Sequence, residues 1–352
     1  MRRSLFLRIV EGVMNQDSFF QSNHDATGRS SLSPLQKCTA TIRMLAYGVA
    51  VDVVDEYLRI GESTPTLCVK KFVRAVNVVF GDEYLRRPNV ADVERLLHVG
   101  EQRGFHGMLG SIDCMHWKWK NCRVAWRGQY ARGDHKTPTT MLEAVASQDL
   151  WIWHAFFGVP GTLNDINVLD RFPVFREVLE GKALKVQFSV NGRIYNLGYY
   201  LTDGIYPNWA TFVKSIPLPQ GPKHKLFTMK QEAARKDVER AFGVLQPHFA
   251  IISGPSRMWC KDLIAEIMRA CIIMHNMIVE DERDTYVRQF DYTDEDVNFE
   301  VSMPTVSQNH LPEYDEYLRN HKRIRNRSTN NQLQSDLIEE IWNRFEDEGY
   351  DD

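Results

Sequence analysis

Apolar positions recur at helical spacing near both ends of the chain and as short dense runs in its middle. Leu35, Cys38, Ile42, Leu45 and Ala46 repeat at three- and four-residue intervals, which predicts an amphipathic helix. Ser33 and Pro34 stand at its N-cap and first helical position, and Gly48 closes it. A short second helix is expected from Asp52, broken at Gly61. A third opens near Ser63 or Thr64, with Val69, Phe72, Val73, Val76 and Phe80 on its apolar face and Lys70, Lys71 and Arg74 off it. Two helices around a glycine-containing turn, the second basic, have the outline of a helix-turn-helix; a plain helical bundle with solvated lysines has the same pattern.

From Gly107 the period changes. Runs near 109–120, 138–147, 151–159 and 197–203 are short, apolar or aromatic and bounded by Gly, Pro or Asn, as strands are. Helices return after Met229, in QEAARKDVERAFGVLQ and KDLIAEIMRACIIMHNMIVEDE. From about Arg283 to Gln332 the chain is polar, acidic and aperiodic, so a mobile arm is expected there. A last amphipathic helix carries Leu333, Leu337, Ile341, Trp342 and Phe345.

Composition narrows the class. The 352 residues are 43% hydrophobic and 25% charged, an ordinary globular balance that excludes wholesale disorder and collagen. No apolar run reaches membrane-spanning length, and Arg8 interrupts the stretch that would have to serve as a secretory h-region. The six cysteines form no CxxC pair, which argues against a structural zinc site and fits a reducing compartment. The net charge of −3 hides an asymmetry: residues 1–100 carry +2, residues 101–260 carry +7 and residues 261–352 carry −12. A basic middle suits a polyanion.

Against that basic middle, three acids stand out. Asp113, in LGSIDCMHW, lies within an expected strand between apolar neighbours, where an unneutralised charge is costly. Asp203 ends the run GYYLTDGIYP. Glu239 flanks the helical stripe of Ala234, Val238, Ala241, Phe242 and Leu245. Two strand acids and a helix glutamate are the parts of a two-metal phosphoryl-transfer site, because Mg²⁺ takes hard oxygen ligands and keeps positions open for water and phosphate. The competing readings are a paired core acid, a turn former and a partner for Arg235, Lys236 or Arg240. After Asp113, in HWKWKNCRVAWRGQYARG, a strand places Trp117 and Trp119 on one face and Lys118 and Lys120 on the other. The lysines and Arg127 are candidate phosphate contacts; the tryptophans are read as core rather than as stacking surfaces, and His275 likewise as a core histidine. His116 and Cys114 flank Asp113 without a partner at metal spacing. RNHKRIRNR, residues 319–327, holds five Lys and Arg, a nuclear localisation signal or a solvated patch.

The stretches RMLAYG, DEYLRIGEST, FGDEYLRRP, GMLGSIDCMHWKWKNC, LEAVAS, DLWIWHAFFGVPG, NDINVLDRFPVF, YYLTDGIYP, WATFVK, RKDVERAFGVLQ and HNMIVEDER together resemble plant PIF/Harbinger transposases of the DDE superfamily. They span nearly the whole chain. The 35 residues between Asp203 and Glu239 are similar to the superfamily's interval between second and third acids. The resemblance implies an α/β fold: an RNase H-like mixed-sheet core behind an N-terminal helical, helix-turn-helix-like region, with C-terminal helices. It implies that Asp113, Asp203 and Glu239 are catalytic and hold two Mg²⁺ or Mn²⁺ ions, and that Asp165, in NDINVLD, matches a further acid grouped with the metal ligands; an N-cap role suits Asp165 equally.

The implied function is transposition: metal-dependent cleavage of double-stranded DNA at element ends, then strand transfer, with Lys70, Lys71, Arg74, Lys118, Lys120 and Arg127 on DNA. A Myb-like partner protein, a nuclear location and a homo-oligomer are compatible with it. The alternatives are a domesticated, non-catalytic chromatin protein and a nuclease without strand transfer. His106, Thr202 and Pro247 depart from the family pattern, and Pro247 should weaken or end its helix. The expected divisions are an N-terminal segment 1–32, a helical region 33–100, the nuclease domain 101–282 and an acidic arm with terminal helix 283–352. Met1 falls close to where the resemblance starts, which is compatible with a further segment upstream.

Overall fold

The computed structural model describes residues 1–22, 24, 31–48, 63–131, 137–162, 179, 185–287, 300–302 and 314–346. The second helix expected from Asp52 lies outside the described residues, as does Asp165.

The helix from Ser33 forms as its sequence predicts. Helix α2 (Pro34–Tyr47) follows α1 (Arg3–Gln16) and starts in a capping box: Ser33 accepts from the Gln36 N–H while the Gln36 side chain accepts from the Ser33 N–H. Gly48 ends it at φ 62°, in the left-handed region open to glycine. Leu35 is 48% exposed, a correction to the predicted apolar face; it lies in the first turn, ahead of the packed stripe. Helix α3 (Ser63–Tyr84) buries all five predicted residues, from Val69 to Phe80. In this N-terminal half two further helices were not predicted: α1, whose Leu5, Ile9, Val10 and Val13 are buried, and α4 (Val90–Gln102), opened by a capping box between Asn89 and Asp92.

Strands β1 (Met108–Lys118), β2 (Thr139–Ala146), β3 (Ile152–Pro160), β6 (Tyr199–Thr202) and β7 (Phe212–Lys214) make a five-stranded sheet in the order β3-β2-β1-β6-β7. β2 runs antiparallel to its neighbours β1 and β3, and β6 and β7 run parallel to β1. This is the expected α/β fold, a mixed sheet consistent with an RNase H-like core. All eight residues of β2 are buried, as a central strand covered on both faces requires. A smaller sheet joins β4 (Lys185–Val190), β5 (Arg193–Tyr195) and β8 (Glu300–Ser302). Between β1 and β2 lies α5 (Val124–Tyr130).

Helix α6 (Gly221–His248) starts ten residues before the expected Gln231, with Pro222 in its first turn and Leu226 and Phe227 buried ahead of the predicted stripe. Pro247 sits in its last turn, one residue before the helix stops, so the proline helps end α6 well downstream of Glu239. A single turn, α7 (Ala250–Ser253), leads to α8 (Lys261–Val287). One hydrophobic cluster runs from Leu5 to Ile278 and joins α1–α3, the antiparallel strands, α6 and α8. The mobile arm expected over 283–332 is corrected where it is described: α8 continues to Val287, α9 spans Tyr314–Ile324, and α10 (Arg327–Phe345) begins earlier than its apolar pattern suggested. Asn326 caps α10 by accepting from the Thr329 N–H, and its first turns are exposed and polar apart from Asn330, which is buried and donates to the Trp209 and Phe212 carbonyls. Leu333, Leu337 and Ile341 are buried as predicted.

His275 is fully buried, with Nε2 2.9 Å from the Leu150 carbonyl and Nδ1 3.3 Å from His248 Nδ1. Burial pushes its pKa down to about 4, and His154 likewise. The unfolded chain then binds protons that the folded chain refuses, so stability falls as pH drops from about 6.5 toward 4. We expect each histidine to cost on the order of 2 kcal/mol between about pH 7 and about pH 5. Urea unfolding at the two pH values checks this, and His275→Gln should roughly halve the drop.

Candidate active site

Strands β1 and β6 set the site. Their parallel register pairs Ser111 with Leu201, so two residues further on Asp113 stands beside Asp203, just past the end of β6. Asp113 is partly buried, and its Oδ1 accepts from the Cys114 N–H at 2.8 Å. Asp203 Oδ1 accepts from the Ile205 N–H, closing a turn. Lys214, on β7, holds that turn by donating to the Tyr206 carbonyl at 2.7 Å and the Gly204 carbonyl at 3.4 Å. Burial lowers the Lys214 pKa, against the opposing pull of Asp203.

Helix α6 brings the third acid. It is fastened to the sheet by buried Gln231, which donates to the Thr202 carbonyl at 3.0 Å and the Val213 carbonyl at 3.1 Å. Ser111 Oγ donates to the Ala234 carbonyl at 3.1 Å. The fastening turns Arg235 and Glu239 toward Asp113. Arg235 Nη1 lies 2.7 Å from Glu239 Oε1 and 3.8 Å from Asp113 Oδ2. Asp113 is pushed up to about 6: burial dominates, Glu239 and Asp203 add to it, and the Cys114 N–H and Arg235 oppose it. The three predicted acids therefore share one field, with a guanidinium between two of them. Glu239 makes the arginine pair expected as its competing reading, and Asp203 is also a turn former.

Among the described residues, no three Asp, Glu, His or Cys side chains close into a metal-ligand group; Arg235 sits where such a group would need a cation. The donors are nonetheless hard carboxylate oxygens from two adjacent strands and a helix, the set that suits Mg²⁺ or Mn²⁺. Arg235, Lys214 and Gln231 escaped the sequence reading as site components. The i,i+4 spacing of Arg235 and Glu239 is the signal for the first; nothing local marks the other two. Asp237, in the same DVER stretch, is fully buried against Arg103 at 2.6 Å and against Arg240, so it belongs to the packing of α4 on α6.

The candidate DNA contacts divide. Lys118, Lys120 and Arg127 are exposed, and Trp117 and Trp119, 1% exposed, are core as predicted. Lys70 is exposed, whereas Lys71 pairs with Asp17 at 2.8 Å and Arg74 with Glu266 at 3.0 Å, which ties α3 to its neighbours. His116 and Cys114 meet Thr139 and Tyr206. His106 lies 3.4 Å from both Glu101 and Glu340. Residues 319–327 span the end of α9 and the start of α10; there Arg323 donates to the Asn196 carbonyl and Arg325 lies over the Trp209 ring at 4.7 Å.

The family model described as "Plant transposon protein" matches residues 82–286, more than half of the chain. The chain is also similar to "Protein ALP1-like" of Arabidopsis thaliana, 23% identical over 270 residues, 75% of this chain and 65% of that relative. No solved structure matches it. The matched segment runs from the end of α3 through β1, β6 and α6 almost to the end of α8 and contains all three acids, and the chain belongs to the plant transposon protein family, of PIF/Harbinger type.

Proposed function

We propose that the chain is a DDE transposase: a divalent-metal-dependent endonuclease that cuts double-stranded DNA at element ends and joins the freed 3′-OH to target DNA. The observation that carries this reading is the meeting of Asp113, Asp203 and Glu239 around Arg235, where burial first, and the two neighbouring acids after it, raise Asp113 to about 6. A buried acid with a raised pKa beside two further carboxylates marks a functional site, and the excess negative charge of such a group is what a metal pair neutralises. Asp113 and Asp203 would hold the ions, with Glu239 completing the second position. Bound there, Mg²⁺ or Mn²⁺ supplies Lewis-acid polarisation of the phosphate and a more acidic water.

The chain's own residues do the rest. Lys214 and Gln231 keep the Asp203 turn and α6 in register with β1. Arg235 neutralises the acids in the metal-free protein and is placed to meet a phosphate when Glu239 turns to metal. Lys118, Lys120 and Arg127 line an approach for the backbone, and Lys70 is a further candidate on α3. A Myb-like partner and a nuclear location accompany the reading.

Nicking of supercoiled plasmid by the purified full chain in Mg²⁺ or Mn²⁺ tests it; an intact plasmid in both metals sinks it. A second reading, a domesticated DNA-binding protein without catalysis, is favoured by one observation: Arg235 already neutralises the acids. Calorimetric Mn²⁺ titration separates the two, because only the nuclease needs metal to displace that guanidinium. Each lost phosphate contact lowers the log–log salt slope of duplex binding by about 0.9. Replacing Lys118, Lys120 and Arg127 with alanine should therefore lower it by about 2.7 if each meets a phosphate; a slope equal to wild type removes these residues from the interface.

A further inference from the structure

Beyond the acids, β1 changes neighbour. Its edge is bordered by β6 as far as Ser111, and further on by residues 254–258. Ser256 bridges Trp119 in parallel: its N–H donates to the Lys118 carbonyl at 2.8 Å, and the Lys120 N–H donates to its carbonyl at 2.9 Å. The indoles of Trp117 and Trp119 donate to the Gly254 and Met258 carbonyls, both at 2.8 Å, and the Asn121 amide donates to the Arg257 carbonyl. Five hydrogen bonds thus fix the loop that ends in Trp259.

Trp259 stands 66% exposed, while the other seven tryptophans are buried or partly buried. A large ring held in water on a firmly fixed loop presents a ready aromatic face to a partner. Its surroundings say what it contacts. Lys118, Lys120, Arg257 and Lys261 are exposed, and none forms an ion pair among the described residues. Asp262 is the one acid within residues 117–131 and 254–262. Beside Lys261 opens a pocket of about 150 Å³ lined by Trp119, Tyr130 and Phe157. Lys118 lies five residues along β1 from Asp113, roughly 17 Å at strand rise.

We propose that Trp259, with Lys118, Lys120, Arg257 and Lys261, is a stacking platform for an unpaired base of single-stranded DNA leading away from the acidic centre. The proposal rests on the reading that the chain acts on DNA. Cations hold phosphates of single strands and duplexes alike, but a base inside a duplex has both faces covered. A free aromatic face therefore selects an unpaired base, and does so with little regard to sequence. A nick alone leaves bases paired, but fraying of the freed end or a staggered cut in the second strand exposes such bases, which places the platform downstream of the cut.

The test uses the full chain in EDTA, so that binding is read without cleavage. Fluorescence polarisation compares a labelled oligo-dT strand with a blunt duplex of equal length, for wild type, Trp259→Ala and Trp259→Phe. We expect Trp259→Ala to weaken single-strand binding roughly tenfold, within the range for one stacked base, and to leave duplex binding and melting temperature unchanged. Trp259→Phe, which keeps a ring face, should retain most of the affinity. Single-strand affinity unchanged in Trp259→Ala overturns the platform and leaves the DNA reading standing, as does an equal loss on both DNAs, which would make Trp259 a duplex contact. A wild-type chain that binds neither DNA overturns both.

Discussion

Replacing Asp113 with Asn is expected to abolish metal-dependent DNA cleavage, a loss of about a thousandfold or more, while making the folded protein more stable. The first effect follows from its place beside Asp203 on adjacent strands and opposite Arg235 and Glu239. An amide offers one weak oxygen in place of a charged pair, and the metal's share of transition-state stabilisation is several kcal/mol, where about 4 kcal/mol is a thousandfold in rate. The second effect follows from the raised pKa. A carboxyl that titrates near 3.8 unfolded and about 6 folded is bound more tightly to its proton in the native state. Above about pH 6 the native chain therefore carries a penalty, and it disappears as pH falls through that window. Asn keeps the oxygen that the Cys114 N–H donates to and removes the charge. We expect a metal-free gain of about 1–3 kcal/mol at neutral pH. Plasmid nicking and thermal unfolding in EDTA measure the two arms. A variant that cuts like wild type removes Asp113 from catalysis; a variant that is dead and less stable shows that Asp113 acts through the fold.

The strands of the core were legible because each carries its own signal. β1, β2, β3 and β6 are dense apolar runs closed by Gly, Pro or Asn, and they fall within a residue or two of their expected bounds. Helices α2, α3 and α8 were equally plain, whereas α1 and α4 went unpredicted although Leu5, Ile9, Val10 and Val13, and Val93, Leu96 and Leu97, give each an apolar stripe. What failed to show was structure held by contacts far apart in sequence. β4, β5, β7 and β8 are short, and three-residue strands such as Phe212–Lys214 have no periodicity to detect. The polar start of α10 rests on the Asn326 cap and a continuous hydrogen-bond ladder, whereas the first ten residues of α6, which lack a side-chain cap, are held by the burial of Leu226 and Phe227. The site divided in the same way. Its acids could be named from their strand and helix settings, together with the family resemblance. Arg235 could be paired with Glu239 by spacing, but its approach to Asp113 depends on Gln231 and Ser111 fastening α6 to β1. The basic residues of α3 illustrate the converse. Sequence marks Lys71 and Arg74 as a positive face, and the fold gives them to Asp17 and Glu266.

Replacing Glu239 with Gln is expected to leave one bound metal ion, remove the second and stop cleavage. Asp113 and Asp203 are short side chains on adjacent strands, each with one oxygen fixed by a backbone N–H, so the pair stays organised without Glu239. Glu239 is different. It lies on a helix, its side chain is 41% exposed, and in the metal-free protein it is paired with Arg235 at 2.7 Å. It must leave the guanidinium to serve as a ligand, and its longer stem lets it do so. Two aspartates and waters suffice for one hard cation. In-line displacement needs both the attacking and the leaving oxygen stabilised, so a single ion stalls it. The Arg235 guanidinium, freed from Glu239, should turn to Asp113, which already lies 3.8 Å away, and weaken the remaining metal site several-fold. Calorimetric Mn²⁺ titration of Glu239→Gln in the presence of duplex DNA reads the stoichiometry, and plasmid nicking reads the turnover. Two sites of wild-type affinity, or wild-type nicking, would leave Glu239 as no more than the partner of Arg235 on the surface of α6.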